Sequence, residues 1–360
     1  MSLQYNRTSS SAKPSPQCLT STQRSITTPS LPSTPCLPST QCPVPRQRLS
    51  PKQWLTSRIH TALQRRAITR IEAEAAHDVG RGSESLAVLT YGELFTAARF
   101  LASNPQTKAF VVTGFYVPSA VRPAAETDGP VGALELCAAL RAIGGDAWLV
   151  SDTPCEGVLR PSATTVLPDN HVLIAPVDET FETWLQDIME LIRIEHIDTV
   201  IFVERVGPSY GGLPRNMRAA CIKEWTAPLS RLAGLGLHSI GIGDGGNEIG
   251  MGKILAEDMQ RLVRYGDEIG CSVSTDELII GGTSNWAAHA LVGALRVLGH
   301  KQVEHLLEDS WHHEVLSALV AEGSIDGVTH DNVPSVDGLR GDDYLGTIRS
   351  ISRIAQSHNW

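Results

Sequence analysis

Asp244, Asn247 and Glu248 stand in the run Gly241 to Gly252, in which six of twelve residues are glycine. Glycine has no Cβ, so the peptide N–H groups of such a run can come close to a bound molecule. The three polar side chains can exchange protons, share hydrogen bonds or face a cation. That mixture suits an ammonium group, a transferred proton or a divalent metal. Gly241, Gly243 and Gly246 also spell G-x-G-x-x-G, the dinucleotide-binding pattern. Two features count against that use. The run falls late in the chain, and Asp244 and Glu248 would set negative charge beside a pyrophosphate.

Three more clusters could do chemistry. Glu126, Thr127 and Asp128 precede Gly129-Pro130. Thr127 or Asp128 could cap a helix opening there or contact a ligand, whereas capping does not account for Glu126. Glu204-Arg205 is either a plain ion pair or a guanidinium fork for a substrate carboxylate, with Arg215 and Arg218 as alternative forks. Ser284 and Asn285 precede Trp286 and read as helix N-caps or as an anion site at a helix start. His289, one turn further on, reads as a packed histidine.

Each cluster needs an element to hold it. Apolar, β-branched runs predict strands at 109–113, 147–151, 171–175, 199–204, 238–242 and 277–280. Helical spacing predicts helices at 131–143, 181–194, 223–235, 251–265 and 286–298, with a proline-containing loop after 151. Such alternation implies an α/β fold: a three-layer, Rossmann-like domain with a mostly parallel sheet. Every cluster then follows a strand, at the edge where open α/β sheets bind ligands. Ahead of these elements, Trp54, Leu55, Ile59, Leu63, Ala67 and Ile71 recur at helical spacing. They predict a helix that docks on the domain or belongs to a targeting signal.

Charge divides the chain. The first acidic residue is Glu72, and ten basic residues precede it; beyond position 71 stand 20 basic and 39 acidic residues, a net of −19. An acidic body excludes nucleic acid as a partner. No apolar run reaches membrane-spanning length, so no membrane partner is expected. The seven cysteines are scattered without a C-x-x-C pair, which fits a reducing compartment. Residues 1–50 are rich in Ser, Thr, Pro and Gln and predict a disordered leader, leaving 51–360 as the α/β domain. An acid-free, Arg- and Ser-containing leader resembles an organelle transit peptide, although Pro29, Pro32, Pro35 and Pro38 oppose the import helix. The mitochondrial matrix is one expected location and the cytoplasm the other.

Taken together, these clusters resemble the D-glutamate cyclase C-terminal domain family. The resemblance rests on Asp78-Val79-Gly80-Arg81-Gly82, Thr113-Gly114-Phe115, Glu126 through Ala133, Glu204-Arg205, Gly241 through Gly252, and Ser284-Asn285-Trp286, in that order. It runs from about residue 60 to the C-terminus. Longer relatives carry a second, hydro-lyase-like domain that this chain is too short to hold, and Ala287 stands where the family often has glycine. The resemblance implies a hydro-lyase that cyclises D-glutamate to 5-oxo-D-proline with loss of water. By the same resemblance Asp244 or Glu248 would be the base and Glu126 or Asp128 the acid. Arg205 would hold the α-carboxylate, and backbone N–H groups at Gly243, Gly245 and Gly246 would hold the oxyanion. Glu204, Asn247, Thr127 and Asn285 complete the expected substrate-binding set. No cofactor is required, though the carboxylates could hold a divalent cation. The expected partner is an acidic D-amino acid; oligomeric state is not set by the sequence. Two other functions fit the same residues: a non-catalytic module that binds an amino acid or related metabolite, and a dinucleotide-dependent oxidoreductase.

Overall fold

Continuous apolar runs place six parallel strands at the centre of the protein. They are β1 (Lys108–Val112), β2 (Asp146–Asp152), β3 (Val172–Ala175), β4 (Thr199–Val203), β5 (His238–Gly243) and β6 (Glu277–Ile280). Their order is β3-β2-β1-β4-β5-β6, and every neighbouring pair is parallel. The order in which the chain lays down strands reverses between β1 and β4, the switch point at which such sheets open a crevice. Ala109 of β1 pairs with Ala147 on one side and Thr199 on the other, which fixes the register there. This computed structural model describes residues 50–357 other than Arg81. The expected leader lies outside the described residues, save Ser50.

Both faces of the sheet are covered, as uninterrupted apolar strands require. Over one face lie α1 (Pro51–Ala75), α2 (Glu93–Ser103), α3 (Pro130–Ala142), α4 (Thr153–Ala163), and later α7 (Ser284–Val297), α8 (Asp309–Ala321) and α9 (Asp342–Gln356). They pack on Val111, Leu149, Ile201 and Ile242. Over the other face lie α5 (Phe181–Glu195) and a 3₁₀ segment at Leu229–Gly234, packed on Phe110, Val112, Trp148 and Phe202. The short helix α6 (Ala256–Leu262) sits beyond the Gly-rich run. Helix α7 is buried along its whole length, which suits its apolar run from Trp286 to Val297.

Four expectations about elements differ from the fold. The segment after β2 is helix α4 rather than a loop: Pro154 occupies its first turn, where a missing N–H costs nothing. Residues 223–235 form two 3₁₀ pieces, Lys223–Trp225 and Leu229–Gly234, split by Pro228. The helix expected over 251–265 shrinks to α6, because Gly250 and Gly252 donate to the Val273 carbonyl and hold the chain extended. The apolar stripe of α1 does not dock as a whole. Ala67 and Ile71 are buried, but Leu55, Ile59 and Leu63 are exposed.

Candidate active site

The loops after β1, β4, β5 and β6 bring the polar clusters to one place. Glu126, Glu204, Asp244 and Asn247 line a cavity of about 340 Å³, together with Arg218, Arg264, His330 and Asp337. Asp128, Asp244 and Asp337 each bring a carboxylate oxygen within 4.8 Å of the others, and so do Glu204, Asp244 and Glu248. Asp128, Glu204 and Asp244, far apart in sequence, therefore converge. A second cavity of about 530 Å³, bounded by Phe181, Leu213 and Pro228, lacks any such cluster of buried acids.

Glu204 has the most altered chemistry. Burial, reinforced by Glu248, Asp128 and Glu126, pushes its carboxyl well above the usual carboxylate range. Its Oε2 accepts from Ser284 Oγ at 2.6 Å. Its backbone is left-handed, with φ of 47°, immediately after β4. His330 and Asp337 share that conformation, at 61° and 54°, and line the same cavity. Left-handed non-glycine backbone costs energy and gathers at functional sites. Gly129 makes room for Glu204: its φ is 92°, and a Cβ there would lie 2.5 Å from Glu204 Cβ.

Asp128 and Asn285 form a reciprocal clasp between two helix starts. Asp128 accepts from the backbone N–H groups of Ser284 and Asn285 at 2.9 Å each, at the N-terminus of α7. Asn285 Oδ1 accepts from Gly129 N and Gly132 N at the N-terminus of α3, while its Nδ2 donates to the Thr127 carbonyl. Each residue satisfies N–H groups of the other's helix. The expected local caps are thereby replaced: Gly129 occupies the N-cap of α3, and Thr283 caps α7 through Trp286 N. Thr127 Oγ1 donates to the Ser335 carbonyl and is fully buried. Thr127 and Asn285 thus hold the frame behind the cavity.

Three expected roles change on physical grounds. Arg205 is buried and donates to Asp152 at 2.5 Å and to the carbonyls of Gly114 and Ala227. It is held as one side of a buried ion pair and does not line the cavity. Arg218 and Arg264 do line it. Glu248 does not stand ready as a base: its carboxylate accepts from the N–H groups of Asp244, Gly245 and Gly246 at 2.9, 2.6 and 2.7 Å. Those N–H groups are consequently not aimed at an oxyanion. The same brace fills the anion nest that a dinucleotide phosphate would need, and the run continues into bridged, extended chain rather than a helix. Gly243, Gly245 and Gly246 pack against Glu248, Met217 and Met259, so they serve the loop's own close packing.

Asn247 lines the cavity and is 1% exposed; its Nδ2 donates to the Arg215 carbonyl, and its buried Oδ1 has no hydrogen-bond partner. An unmatched buried acceptor suits an incoming N–H donor. His289 is packed, as expected, but in a polar setting. Its Nδ1 lies 2.7 Å from Glu135 Oε1, and His312 Nε2 lies 3.0 Å from Glu135 Oε2. Ser352 and Tyr344 hold the outer nitrogens of the two rings. The two short contacts to one carboxylate are hydrogen-bond distances, and the group ties α3, α7, α8 and α9 together behind the site.

Sequence reasoning missed Asp337, His330, Gly327 and Arg264, all at the cavity. A signal existed: Ser324-Ile325-Asp326-Gly327-Val328 and Ser335-Val336-Asp337-Gly338-Leu339 share one pattern. Burial pushes the Cys137, Cys155 and Cys271 thiols up, so none of these offers a thiolate nucleophile.

Over residues 71–352 the chain matches the family described as D-glutamate cyclase-like, C-terminal. A curated human relative, mitochondrial D-glutamate cyclase, is 31% identical over 246 residues, which is 63% of this chain. The matched stretch covers 38% of that relative's own length.

Proposed function

The chain belongs to the D-glutamate cyclase-like C-terminal family, and from that premise we propose that it is a hydro-lyase that closes D-glutamate to 5-oxo-D-proline and water. The observation that carries this reading is Glu204, whose carboxyl is pushed well above the usual range by burial and neighbouring carboxylates, with an oxygen within 4.8 Å of one on Asp244. An acid kept neutral next to a second carboxylate is the pairing that proton exchange in both directions needs.

The reaction forms a bond between the substrate nitrogen and its γ-carboxyl carbon. Asp244 takes a proton from the α-ammonium group, and the amine attacks. Glu204 donates as the C–O bond breaks. Over the full cycle the nitrogen sheds two protons, and both leave with the departing oxygen as water. Asn247 Oδ1 accepts an N–H of the ammonium group, while Arg218 and Arg264 hold the carboxylates at the rim. Asp128 and Glu126 add negative charge that favours the proton on Glu204.

A second reading of the same cluster gives Asp128, Asp244 and Asp337 a divalent cation, for which an all-oxygen set suits magnesium or manganese. Such an ion would polarise the γ-carboxyl group. Turnover that survives exhaustive chelation removes this version.

Purified protein incubated with D-glutamate should yield 5-oxo-D-proline on chiral chromatography, with L-glutamate as the control. Stoichiometric D-glutamate binding by calorimetry without any product would instead identify a binding module. The relative's name carries the word mitochondrial, and we place this chain there too; loss of organelle targeting on removing residues 1–49 is the corresponding test.

A further inference from the structure

The N-terminal part of the apolar stripe of α1, from Leu55 to Leu63, points away from the body that the helix packs on. Gln64, Ile68, Ile71 and Ala75 form the packed side; Gln64 Nε2 donates to the Val297 carbonyl, and Ile71 reaches Gly293 of α7. Leu55, Ile59 and Leu63 stand four residues apart, roughly opposite that side, and are 54%, 54% and 47% exposed. From residue 52 to residue 63 every described side chain is exposed, so the first three turns extend past the domain. The start is self-sufficient: Ser50 and Gln53 form a capping box. Lys52, Arg58, Arg65, Arg66 and Arg70 are all exposed, and no acidic residue occurs before Glu72.

We propose that this outward face of α1 docks on the surface of an anionic phospholipid membrane. Aliphatic side chains flanked by arginines are the composition of helices that lie in the lipid headgroup region. The arginine stems can run along the apolar layer while their heads meet phosphates. Charge complementarity selects the partner. The chain beyond residue 71 has a net charge of −19 and is repelled by an anionic surface, so attraction is confined to the ten basic residues before Glu72, five of which lie on this helix. Nucleic acid would meet the same arginines but leave Leu55, Ile59 and Leu63 without apolar contact. A second copy would need a matching apolar groove, and the other exposed apolar side chains form only small groups, Val88, Leu89 and Tyr91 in one short stretch and Met189 with Ile194 on α5, without the set of basic residues that accompanies the α1 face. The absence of a membrane-spanning helix among the described residues is no obstacle, because spanning and surface binding have different length requirements.

Co-sedimentation of the full chain with vesicles tests the proposal. Binding to phosphatidylcholine–phosphatidylglycerol vesicles should exceed binding to phosphatidylcholine alone by at least roughly tenfold and fall with added salt. The triple substitution Leu55→Gln, Ile59→Gln and Leu63→Gln keeps good helix formers on exposed positions and should lower that binding about tenfold or more. Lys52→Gln with Arg66→Gln should lower it by a similar factor, while the thermal midpoint of both variants stays that of the parent. No binding to the anionic vesicles overturns the proposal, as does equal binding to neutral ones. So does a triple variant that binds like the parent. Self-association in velocity sedimentation that the triple variant abolishes, without vesicle binding, assigns the face to a second copy instead.

Discussion

In the proposed cyclisation Asp244 and Glu204 divide the acid and base work, and each can be tested by an isosteric amide. Asp244→Asn removes the proton acceptor without changing shape, and turnover should fall by about 10²–10⁴, read as product formed per enzyme at saturating D-glutamate. Glu204 is best followed by its proton. Because its pKa is raised in the fold, the native state retains a proton that the unfolded chain releases. That contribution to stability is complete below the ordinary carboxylate range and is lost as pH rises through the raised value. The infrared spectrum at neutral pH should carry a protonated-carboxyl band that Glu204→Gln abolishes; no change in that region removes the acid role. Arg205→Ala should behave differently from either. It leaves Asp152 buried without its partner, so it should cost about 3–5 kcal/mol of stability in chemical denaturation. A soluble, stable Arg205→Ala with only a raised KM would return Arg205 to the substrate.

At the scale of elements, the site is a meeting of helix starts stabilised by groups from the opposite helix. The Asp128–Asn285 clasp fixes the ends of α3 and α7, and the Glu135–His289–His312 group pins the same two helices one to two turns deeper, adding α8 and, through Ser352 and Tyr344, α9. Burial alone would raise the Glu135 carboxyl, but His289 and His312 outweigh it and bring it down to about 2. A depressed carboxyl stabilises the fold above its ordinary value of 4.5 and loses that effect as pH falls toward about 2. Acid unfolding should therefore shift to higher pH in Glu135→Ala, and the variant should be less stable near neutrality by about 1–3 kcal/mol, because the buried His289 and His312 lose their shared partner. An unchanged acid midpoint would mean that the two histidines are not paired with this carboxylate. The gain for function is precision: Asp128 and Glu204 sit on chain segments that the two pinned helices cannot let drift.

The described residues form a doubly wound sheet whose candidate-site residues come from the loops after four adjacent strands, β1, β4, β5 and β6, and from the segment after α8. That architecture also hosts dinucleotide enzymes, and here Glu248 occupies the loop's anion nest from within. Calorimetric titration with NAD or NADP should show no binding; a micromolar affinity would mean that the brace opens. The same scale explains an acidic body with one basic helix. Charge has been separated between the part that holds the candidate site and the residues ahead of Glu72, α1 among them.

Local sequence determined the strands and their neighbours' order of appearance, because buried parallel strands must be apolar without interruption. It also marked the four polar clusters, since glycine runs and acids at the ends of apolar strands stand out from the alternation around them. What each residue does was decided only in three dimensions. Nothing near Asp128 in sequence reveals that its carboxylate caps a helix starting at Ser284. Nothing near Arg205 reveals that Asp152 already holds it. The stripe of α1 is equally legible as core or surface until the packed side is known. Asp337 and His330 enter the site through a left-handed turn after α8, a long-range placement that periodicity does not encode. Hydrogen bonds are short-ranged in space but indifferent to chain separation, so the partners of a polar side chain are a property of the fold.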